Sequence, residues 1–276
     1  MKVITPPNDP IVNYFQNVDR ACRIKKPVPV RLPTGLGVIG ICINRAYSGS
    51  SVARVCRGIG NNAVYTSGNF RGQSVKQIMF NEVARFLIDV CNGSIKSKRD
   101  FDNRHDALCT SLVGNYQYTK SGKRGKGQVT YGIAQKLLNM ALKYLFVEHN
   151  NGIVTIPNSA YDWFHCPIDG IVLENLSFIY SGTHYFRGIR RVNGAYTYSG
   201  KTWSKLDRSS YLSLKNDIVR VINSAPNSKF TPIAPLELDF LIWNPKGSKG
   251  LNPLIAGRLG INRNNSIKVL RGIVIV

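Results

Sequence analysis

The run YGIAQKLLNMALKYLFVEHN at positions 131–150 constrains the fold more than any other segment. Most of its positions are apolar, which at about 3.6 residues per turn predicts a helix buried around most of its circumference. Its polar side chains fall on one narrow stripe, formed by Gln135, Lys136, Asn139 and Lys143. A buried polar stripe must face a carboxylate, water in a cleft or a substrate. Alternatively, both lysines extend along a half-exposed helix to reach solvent.

Periodicity and capping residues predict a mainly α fold with a few short strands in the N-terminal third and at the C-terminus. Positions 74–93 form the clearest amphipathic helix, with Ser74 as its capping residue. Further helices are expected after Asp169, from near Asp207, and within PLELDFLIW at positions 235–243.

Four other segments carry weaker signals. Positions 94–106 (SIKSKRDFDNRHD) and 118–129 (YTKSGKRGKGQV) combine basic residues with small or polar ones, which predicts loops that can follow phosphates. Positions 35–46 fit a strand or a short buried helix, because periodicity alone does not separate the two. The tail NNSIKVLRGIVIV, positions 264–276, is rich in β-branched residues and predicts a strand.

The length of 276 residues is sufficient for one core of ordinary size. We expect one globular unit at positions 35–276, preceded by a basic, proline-rich extended arm at positions 1–34.

Charge is the strongest compositional sign of function. The chain has 37 Lys and Arg residues against 15 Asp and Glu residues, a formal net charge of +22. Such a charge attracts polyanions, so nucleic acid is the first expected partner, an anionic membrane surface the second, and a basic protein without a specific partner the remaining alternative. The expected DNA-binding side chains are Lys120, Lys123, Arg124, Lys126, Arg187, Arg190 and Arg191. Arginines among tyrosines near positions 181–201 suit a nucleic-acid surface, and a turn-rich hairpin is an equal interpretation.

Cysteine spacing and the start of the chain predict an intracellular protein without a cofactor. No two of the six cysteines are spaced as C-x-x-C, so we expect buried thiols in a reducing cytosol rather than a metal site. MKVITPPNDP lacks the apolar segment of a secretory signal, and the apolar run LGVIGICI is too short to span a bilayer. We therefore expect a cytoplasmic protein with no cofactor, no metal, no membrane association and no obligate protein partner.

A carboxylate partner for the lysine stripe lies in FHCPIDGIVLENL, where Pro167 precedes Asp169 at the expected start of a helix. Free backbone N–H groups and the helix dipole stabilise a carboxylate there, and an Asp at this position needs no function to explain it. If Lys136 and Asp169 share a cleft, the lysine amine is a nucleophile that can form a Schiff base. The carboxylate can then stabilise positive charge that develops on a sugar.

The order QKLLNMALKYL, CPIDGIVLENL and LELDFLIW, with Lys136 and Asp169 33 positions apart, resembles the helix-hairpin-helix DNA glycosylase superfamily. The likeness is greatest to its archaeal-type 8-oxoguanine glycosylase branch. It implies helix-hairpin-helix glycosylase-like helical domains with a catalytic core at about positions 131–245 and a C-terminal extension at positions 246–276. It also implies that Lys136 is the Schiff-base lysine and Asp169 the catalytic aspartate.

The same resemblance implies that Asp239 and Trp243 help to hold a flipped base. Two features depart from the family pattern. The chain has no glycine-rich hairpin of the form L-P-G-x-G, and its insert at positions 118–129 is unusually basic.

The resemblance, together with the net charge, implies a DNA N-glycosylase that acts on double-stranded DNA containing a modified base. It also implies that the base is an oxidised guanine or a hypermodified phage base such as a glucosylated one, with a role in DNA repair or anti-phage defence. The base must leave the stack to be reached, and Trp163 or Trp243 can stack on it. The full set of expected substrate-binding residues is Gln135, Asn139, Lys143, Trp163, Asp239 and Trp243. Lys143 is also the alternative nucleophile.

Two other functions remain open at the level of sequence. A non-catalytic nucleic-acid-binding protein needs only the net charge. A metal-dependent nuclease needs clustered carboxylates or histidines. The best candidates are His105 near Asp106 and His165 near Asp162, and a structural histidine is the alternative for each.

Overall fold

A computed structural model describes residues 37–48, 62–150, 152–157, 160–179, 186–224 and 234–242. These residues are mostly helical and carry two small antiparallel sheets, which confirms the expected mainly α class. The helices are α1 (Gly37–Ser48), α2 (Val75–Cys91), α3 (Lys98–Ser111), α4 (Tyr131–Asn150), α5 (Gly170–Ile179), α6 (Arg208–Ser224) and α7 (Pro235–Ile242). The strands are β1 (Val64–Tyr65), β2 (Gly114–Lys120), β3 (Lys123–Val129), β4 (Ile189–Val192), β5 (Ala195–Tyr198) and β6 (Lys201–Thr202). Ala160–Trp163 and Trp203–Lys205 form single 3₁₀ turns. None of the helices in these ranges is both long and apolar enough to cross a bilayer.

Helix α4 is the central element of the fold. Every residue from Tyr131 to Glu148 is buried, because α1, α2, α3 and α6 pack around the helix and the turn Trp203–Lys205 covers its start. The helix expected from sequence is therefore confirmed, and its burial extends around the whole circumference.

Hydrogen bonds from Thr130 and Gly132 fix the start of α4. Only Thr130 separates β3 from α4. The Thr130 hydroxyl accepts a hydrogen bond from Ile133 N (3.2 Å) and donates one to Ser204 O (2.6 Å). Gly132 N donates to Leu206 O at 2.9 Å. The first turn of α4 is thus joined to the segment before α6.

Helices α1 and α2 cover one side of α4. In α2 the apolar stripe expected from sequence is buried: Val75, Ile78, Met79, Val83, Phe86, Leu87 and Val90. Ser74 caps the helix by accepting a hydrogen bond from Gln77 N, as expected. The ambiguous segment at positions 35–46 is helical from Gly37, because α1 buries its apolar face against α4 and α2.

The loop expected at positions 94–106 is wrong, because most of this segment belongs to α3. Ser97 caps the helix by accepting a hydrogen bond from Asp100 N at 3.1 Å, and Arg104 pairs with Asp100 one turn later at 2.9 Å. The buried face is narrow and consists of Phe101, His105, Leu108 and Cys109. Because α3 has few apolar residues and many charged ones, its composition is typical of a loop.

The loop expected at positions 118–129 is also wrong, because β2 and β3 form an antiparallel hairpin with β1 on the other side of β2. Ser121 and Gly122 form a two-residue turn with φ values of 51° and 75°. Positive φ at both positions is typical of the turn that fits the twist of a hairpin.

The glycines of β3 make room for tyrosine rings. Tyr116 lies opposite Gly127, and Tyr118 lies opposite Gly125. A Cβ atom would lie 2.3 Å from Tyr116 Cζ at Gly127 and 2.4 Å from Tyr118 Cζ at Gly125, closer than real atoms approach. Glycine in a strand commonly marks such a close approach. The glycines that suggest a flexible loop therefore belong to a strand that lies under aromatic rings.

The second sheet has the order β4-β5-β6, and it confirms the hairpin interpretation for this basic and tyrosine-rich part of the chain. Of the described strands, β1 lies in the N-terminal third as expected, and the others lie at positions 114–202, outside the expected places. The arm at positions 1–34, the extension at 246–276 with its expected strand, and Trp243 lie outside the described residues.

Helices α5, α6 and α7 bring the remaining polar groups to α4. Asp169 precedes α5, and Asp207 caps α6 by accepting a hydrogen bond from Ser210 N at 2.9 Å, both as expected. Helix α7 begins at Pro235 and packs against α5 and α6.

Candidate functional site

The polar stripe of α4 is fully buried. Gln135, Lys136, Asn139 and Lys143 are 0%, 1%, 0% and 2% exposed. The alternative in which both lysines reach solvent is therefore wrong. Burial of a charge is costly unless the charge is paired, so each ammonium group needs a carboxylate partner.

Lys136 and Asp169 form a buried ion pair. Lys136 Nζ donates a hydrogen bond to Asp169 Oδ2 at 2.6 Å. The second carboxylate oxygen, Asp169 Oδ1, accepts a hydrogen bond from Val172 N at 2.9 Å and so caps α5. The carboxylate is therefore held by a helix start on one side and by the ammonium group on the other. The structure brings together the two residues that the sequence singles out as catalytic.

Lys143 and Asp239 form a second buried ion pair, with 2.8 Å between Nζ and Oδ2. The ammonium group also lies 4.9 Å from the ring centroid of Phe240. Burial raises the pKa of Asp239, although Lys143 and Lys136 act against this increase. Asp239 Oδ1 accepts no hydrogen bond from any described residue.

Gln135 holds the backbone that leads into Asp169. Its Nε2 donates to Ile168 O at 3.0 Å, and its Oε1 accepts from Ile168 N at 3.3 Å. A second donor bond from Nε2 reaches Gly132 O at 2.9 Å. The amide thus fixes the residue before Asp169 to the helix position before Lys136.

Asn139 continues the polar network toward the surface. Its Nδ2 donates to Gln135 Oε1 at 3.1 Å and to the Tyr211 hydroxyl at 3.0 Å, and its Oδ1 lies 2.7 Å from His105 Nε2. Tyr211 in turn lies 3.0 Å from His165 Nδ1. A buried network of this kind fixes its members only when every donor and acceptor is used.

The network ends at Asp102, whose Oδ1 lies 2.7 Å from His165 Nε2. Asp102 Oδ2 also pairs with Lys215 at 3.1 Å and with Lys98 at 3.5 Å. Although burial acts in the opposite direction, the His165 hydrogen bond and these charges hold the pKa of Asp102 below its usual value.

Both histidines of the network are neutral at pH 7. Burial lowers the pKa of His165 to about 4 and that of His105 well below its ordinary value. One tautomer assignment then satisfies the network: His165 donates from Nε2 to Asp102 and accepts at Nδ1 from the Tyr211 hydroxyl, while His105 donates from Nε2 to Asn139. The sequence did not predict this network, although the apolar residues near both histidines are a sign of burial.

The arrangement expected for a metal-dependent nuclease is absent from the described part of the chain. His105 and His165 bind Asn139, Tyr211 and Asp102 rather than the carboxylates nearest in sequence. The described residues contain no group of three or more His, Cys, Asp or Glu side chains that could hold a metal ion.

Trp163 was expected to stack on a base, whereas Trp203 was not singled out from the sequence. Trp163 is half-buried and packs near Phe101, with 6.4 Å between ring centroids. Trp203, which the sequence analysis missed, lies beside the starts of α4 and α5. A Cβ atom at Gly132 would lie 2.0 Å from Trp203 O, and one at Gly170 would lie 3.8 Å from Trp203 Cδ1.

The expected DNA-binding side chains lie on the two hairpins and are exposed. Lys120, Lys123, Arg124 and Lys126 belong to the β2–β3 hairpin, and Arg187, Arg190 and Arg191 lie on or just before β4. Arg191 lies 6.0 Å from the ring centroid of Tyr196.

The chain matches no protein-family model, no curated protein and no solved structure in the comparisons made. The resemblance to helix-hairpin-helix glycosylases therefore stays a prediction carried by three short motifs.

Proposed function

We propose that the chain is a DNA N-glycosylase that excises a modified base from double-stranded DNA and leaves an abasic site. The observation that carries this proposal is the buried pair of Lys136 and Asp169, with 2.6 Å between Nζ and Oδ2. Pairing of an amine nucleophile with a carboxylate suits the cleavage of a glycosidic bond, which needs both a nucleophile at C1′ and stabilisation of a cationic sugar.

The chemistry follows from the roles of the two groups. The C1′–N bond of the flipped nucleotide breaks, and the base leaves with the electron pair and takes up the proton that Lys136 releases through Asp169. Lys136 must lose a proton before it attacks C1′, and Asp169 Oδ2 is within hydrogen-bond distance to accept it. The adduct then opens to a Schiff base, which permits strand cleavage by β-elimination of the 3′ phosphate.

The exposure of the two side chains supports an order of contact. The Asp169 side chain is 11% exposed and the Lys136 side chain 2% exposed. A nucleotide that enters from solvent therefore meets the carboxylate first and the amine behind it. Charge on the sugar weakens the hold of Asp169 on the ammonium group as the base leaves.

The substrate class is an oxidised guanine or a hypermodified base such as a glucosylated cytosine, with a role in DNA repair or anti-phage defence. Asp239 is the base-contacting residue that the family resemblance implies, and its Oδ1 keeps an acceptor position unused by the described residues. An N–H group on the excised base could donate a hydrogen bond to this oxygen.

Borohydride trapping tests the proposal. Purified protein is incubated with duplexes that carry 8-oxoguanine, an abasic site or glucosylated hydroxymethylcytosine, and the adduct is mapped by mass spectrometry. We expect an adduct on Lys136 that is lost in Lys136→Ala. Lys143→Ala is the matched control, because Lys143 is equally buried on the same stripe and is also paired with a carboxylate.

Each other outcome would indicate a different nucleophile or a different function. An adduct on Lys143 would assign the nucleophile to the second pair. Base release without an adduct, lost in Asp169→Asn, would indicate a glycosylase that uses water. Cleavage abolished by EDTA would indicate a metal-dependent nuclease. Binding without release on every duplex would leave a non-catalytic DNA-binding protein.

A further inference from the structure

We propose that one face of the β2–β3 hairpin docks in the major groove of duplex DNA. We call this face the outer face, and its side chains are Asn115, Gln117, Thr119, Arg124, Lys126 and Gln128. The inference rests on the proposed function for the choice of duplex DNA, and it does not depend on the chemistry at Lys136.

The register of the hairpin creates two unlike faces. Residues directly opposite each other share a face, and the outer-face pairs are Asn115 with Gln128, Gln117 with Lys126, and Thr119 with Arg124. All six side chains are exposed, and none bonds to another described side chain. The inner face carries Tyr116, which is 3% exposed, and Tyr118, which is half-buried. The hairpin therefore packs on the protein through one face and presents the other to a partner.

No described carboxylate compensates the positive charge on this hairpin. No Asp or Glu occurs between positions 107 and 147. Several basic side chains elsewhere on the described surface are paired with carboxylates, among them Arg85, Arg104, Lys201, Arg208 and Arg220. Lys120, Lys123, Arg124 and Lys126 form no ion pair with a described carboxylate. The surface is complementary to a polyanion, and its charge has no partner among the described carboxylates.

The dimensions and side-chain chemistry favour a groove over a flat phosphate surface. Seven residues per strand give a ribbon about 23 Å long, with strands about 4.8 Å apart. Such a ribbon fits the major groove, which is about 12 Å wide, and not the minor groove, about 6 Å wide. Three of the six side chains are Asn or Gln, whose amides pair with base edges, while Arg124 and Lys126 can reach guanine edges or phosphates.

An edge strand also carries Lys and Arg to prevent aggregation, and β3 is an edge strand. Protection against aggregation explains single charges on β3. It does not explain the unpaired amides on both strands or the absence of every acidic residue from the hairpin. The two explanations differ in what a substitution does to DNA binding.

Fluorescence anisotropy with the full chain and a 20-base-pair duplex, with salt varied from about 50 to 200 mM, tests the proposal. We expect Arg124→Ala with Lys126→Ala to weaken binding at least tenfold and to lower the salt slope by about 2. Gln117→Ala with Gln128→Ala should weaken binding without a change in salt slope. A major-groove ligand such as methyl green should compete, and a minor-groove ligand such as netropsin should not.

The matched control is Arg104→Ala with Arg208→Ala, which removes the same charge from exposed arginines that are paired with carboxylates. Binding that falls equally in both double variants would overturn the proposal in favour of net charge alone. Unchanged binding in the Arg124 and Lys126 variant, tighter binding to single-stranded than to double-stranded DNA, or competition only by netropsin would also overturn it.

Failure of this inference is distinguishable from failure of the proposed function. Base release with normal affinity in the Arg124 and Lys126 variant would contradict the docking of the hairpin and support the glycosylase activity. Duplex binding that needs the outer face, without base release on any duplex, would support the docking of the hairpin and contradict the glycosylase activity.

Discussion

At the scale of single residues, the two buried lysines of α4 are held by carboxylates from α7 and from the start of α5. Each pair is stable only as a pair, because removal of one member leaves an uncompensated charge in the interior. Asp169 has the additional task of capping α5, and Asn is an equally good capping residue. The cap and the charge of Asp169 can therefore be separated by substitution.

We predict that Lys136→Met and Asp169→Asn each lower the free energy of unfolding by about 3 kcal/mol, because each leaves the partner charge buried and unpaired. The double variant should lose less than the sum of the two. Urea unfolding of the four proteins in this cycle measures the coupling. Strictly additive losses would contradict the pair as an energetic unit.

We predict that Gln135→Met lowers the free energy of unfolding by about 3 kcal/mol, because it leaves Ile168 N and O without their amide partner in the interior. Gln128→Met is the control at an exposed strand position, where a change within about 0.5 kcal/mol is expected. Equal losses in the two variants would show that the Gln135 amide makes no specific contribution. Urea midpoints suffice for the comparison.

Stability should fall as the pH is lowered from about 6.5 toward 4, because His165 is neutral in the folded protein and gains a proton on unfolding. Its pKa falls from 6.5 to about 4 on folding, so the stability it contributes is complete above pH 6.5 and lost as pH falls through the folded value. The expected loss is on the order of 3 kcal/mol, and His105 acts in the same direction. Urea unfolding at pH 7 and pH 4 measures it, and equal stabilities would contradict it.

At the scale of elements, the sequence predicted those helices whose apolar stripe is wide. Helices α2 and α4 follow from periodicity alone, and Asp169 and Asp207 mark two helix starts by their capping chemistry. Local signals of this kind do not depend on the rest of the fold. The contact between Asp169 and Lys136 was expected only from the family resemblance and not from a local pattern.

The elements that were missed depend on contacts between distant residues. Helix α3 has a narrow buried face in which a histidine, His105, takes a core position, and its partner Asn139 is 34 positions away. The β2–β3 hairpin has glycines where loops have them, and only the rings of Tyr116 and Tyr118 reveal their purpose. The pairing of Lys143 with Asp239 likewise needs the packing of α7, which no local pattern in the sequence specifies.

We predict that Gly127→Ala destabilises the protein by about 1–3 kcal/mol, because the new methyl group meets the buried Tyr116 ring, which has no room to move. Gly125→Ala introduces the same group under Tyr118, which is only half-buried and can rotate toward solvent. Thermal unfolding of both variants should therefore show a larger decrease in Tm for Gly127→Ala. The reverse order would mean that the rings do not determine the glycine positions.

At the scale of the whole molecule, a net charge of +22 should dominate the association of the chain with any duplex. We predict that affinity for an unmodified duplex falls about a thousandfold between 50 and 200 mM salt, the decrease expected for about six phosphate contacts. Anisotropy titrations at four salt concentrations measure the slope. An affinity that does not depend on salt would contradict a role for this charge in binding.

The junction between β3 and α4 determines where the chain can change in length. With only Thr130 between them, one inserted residue would turn α4 by about 100° relative to β3 and carry Lys136 away from Asp169. An insertion at the turn of Ser121 and Gly122 would lengthen the hairpin tip and leave the helix register intact. Insertions and deletions among relatives of this chain should therefore collect at the hairpin tip and avoid the junction.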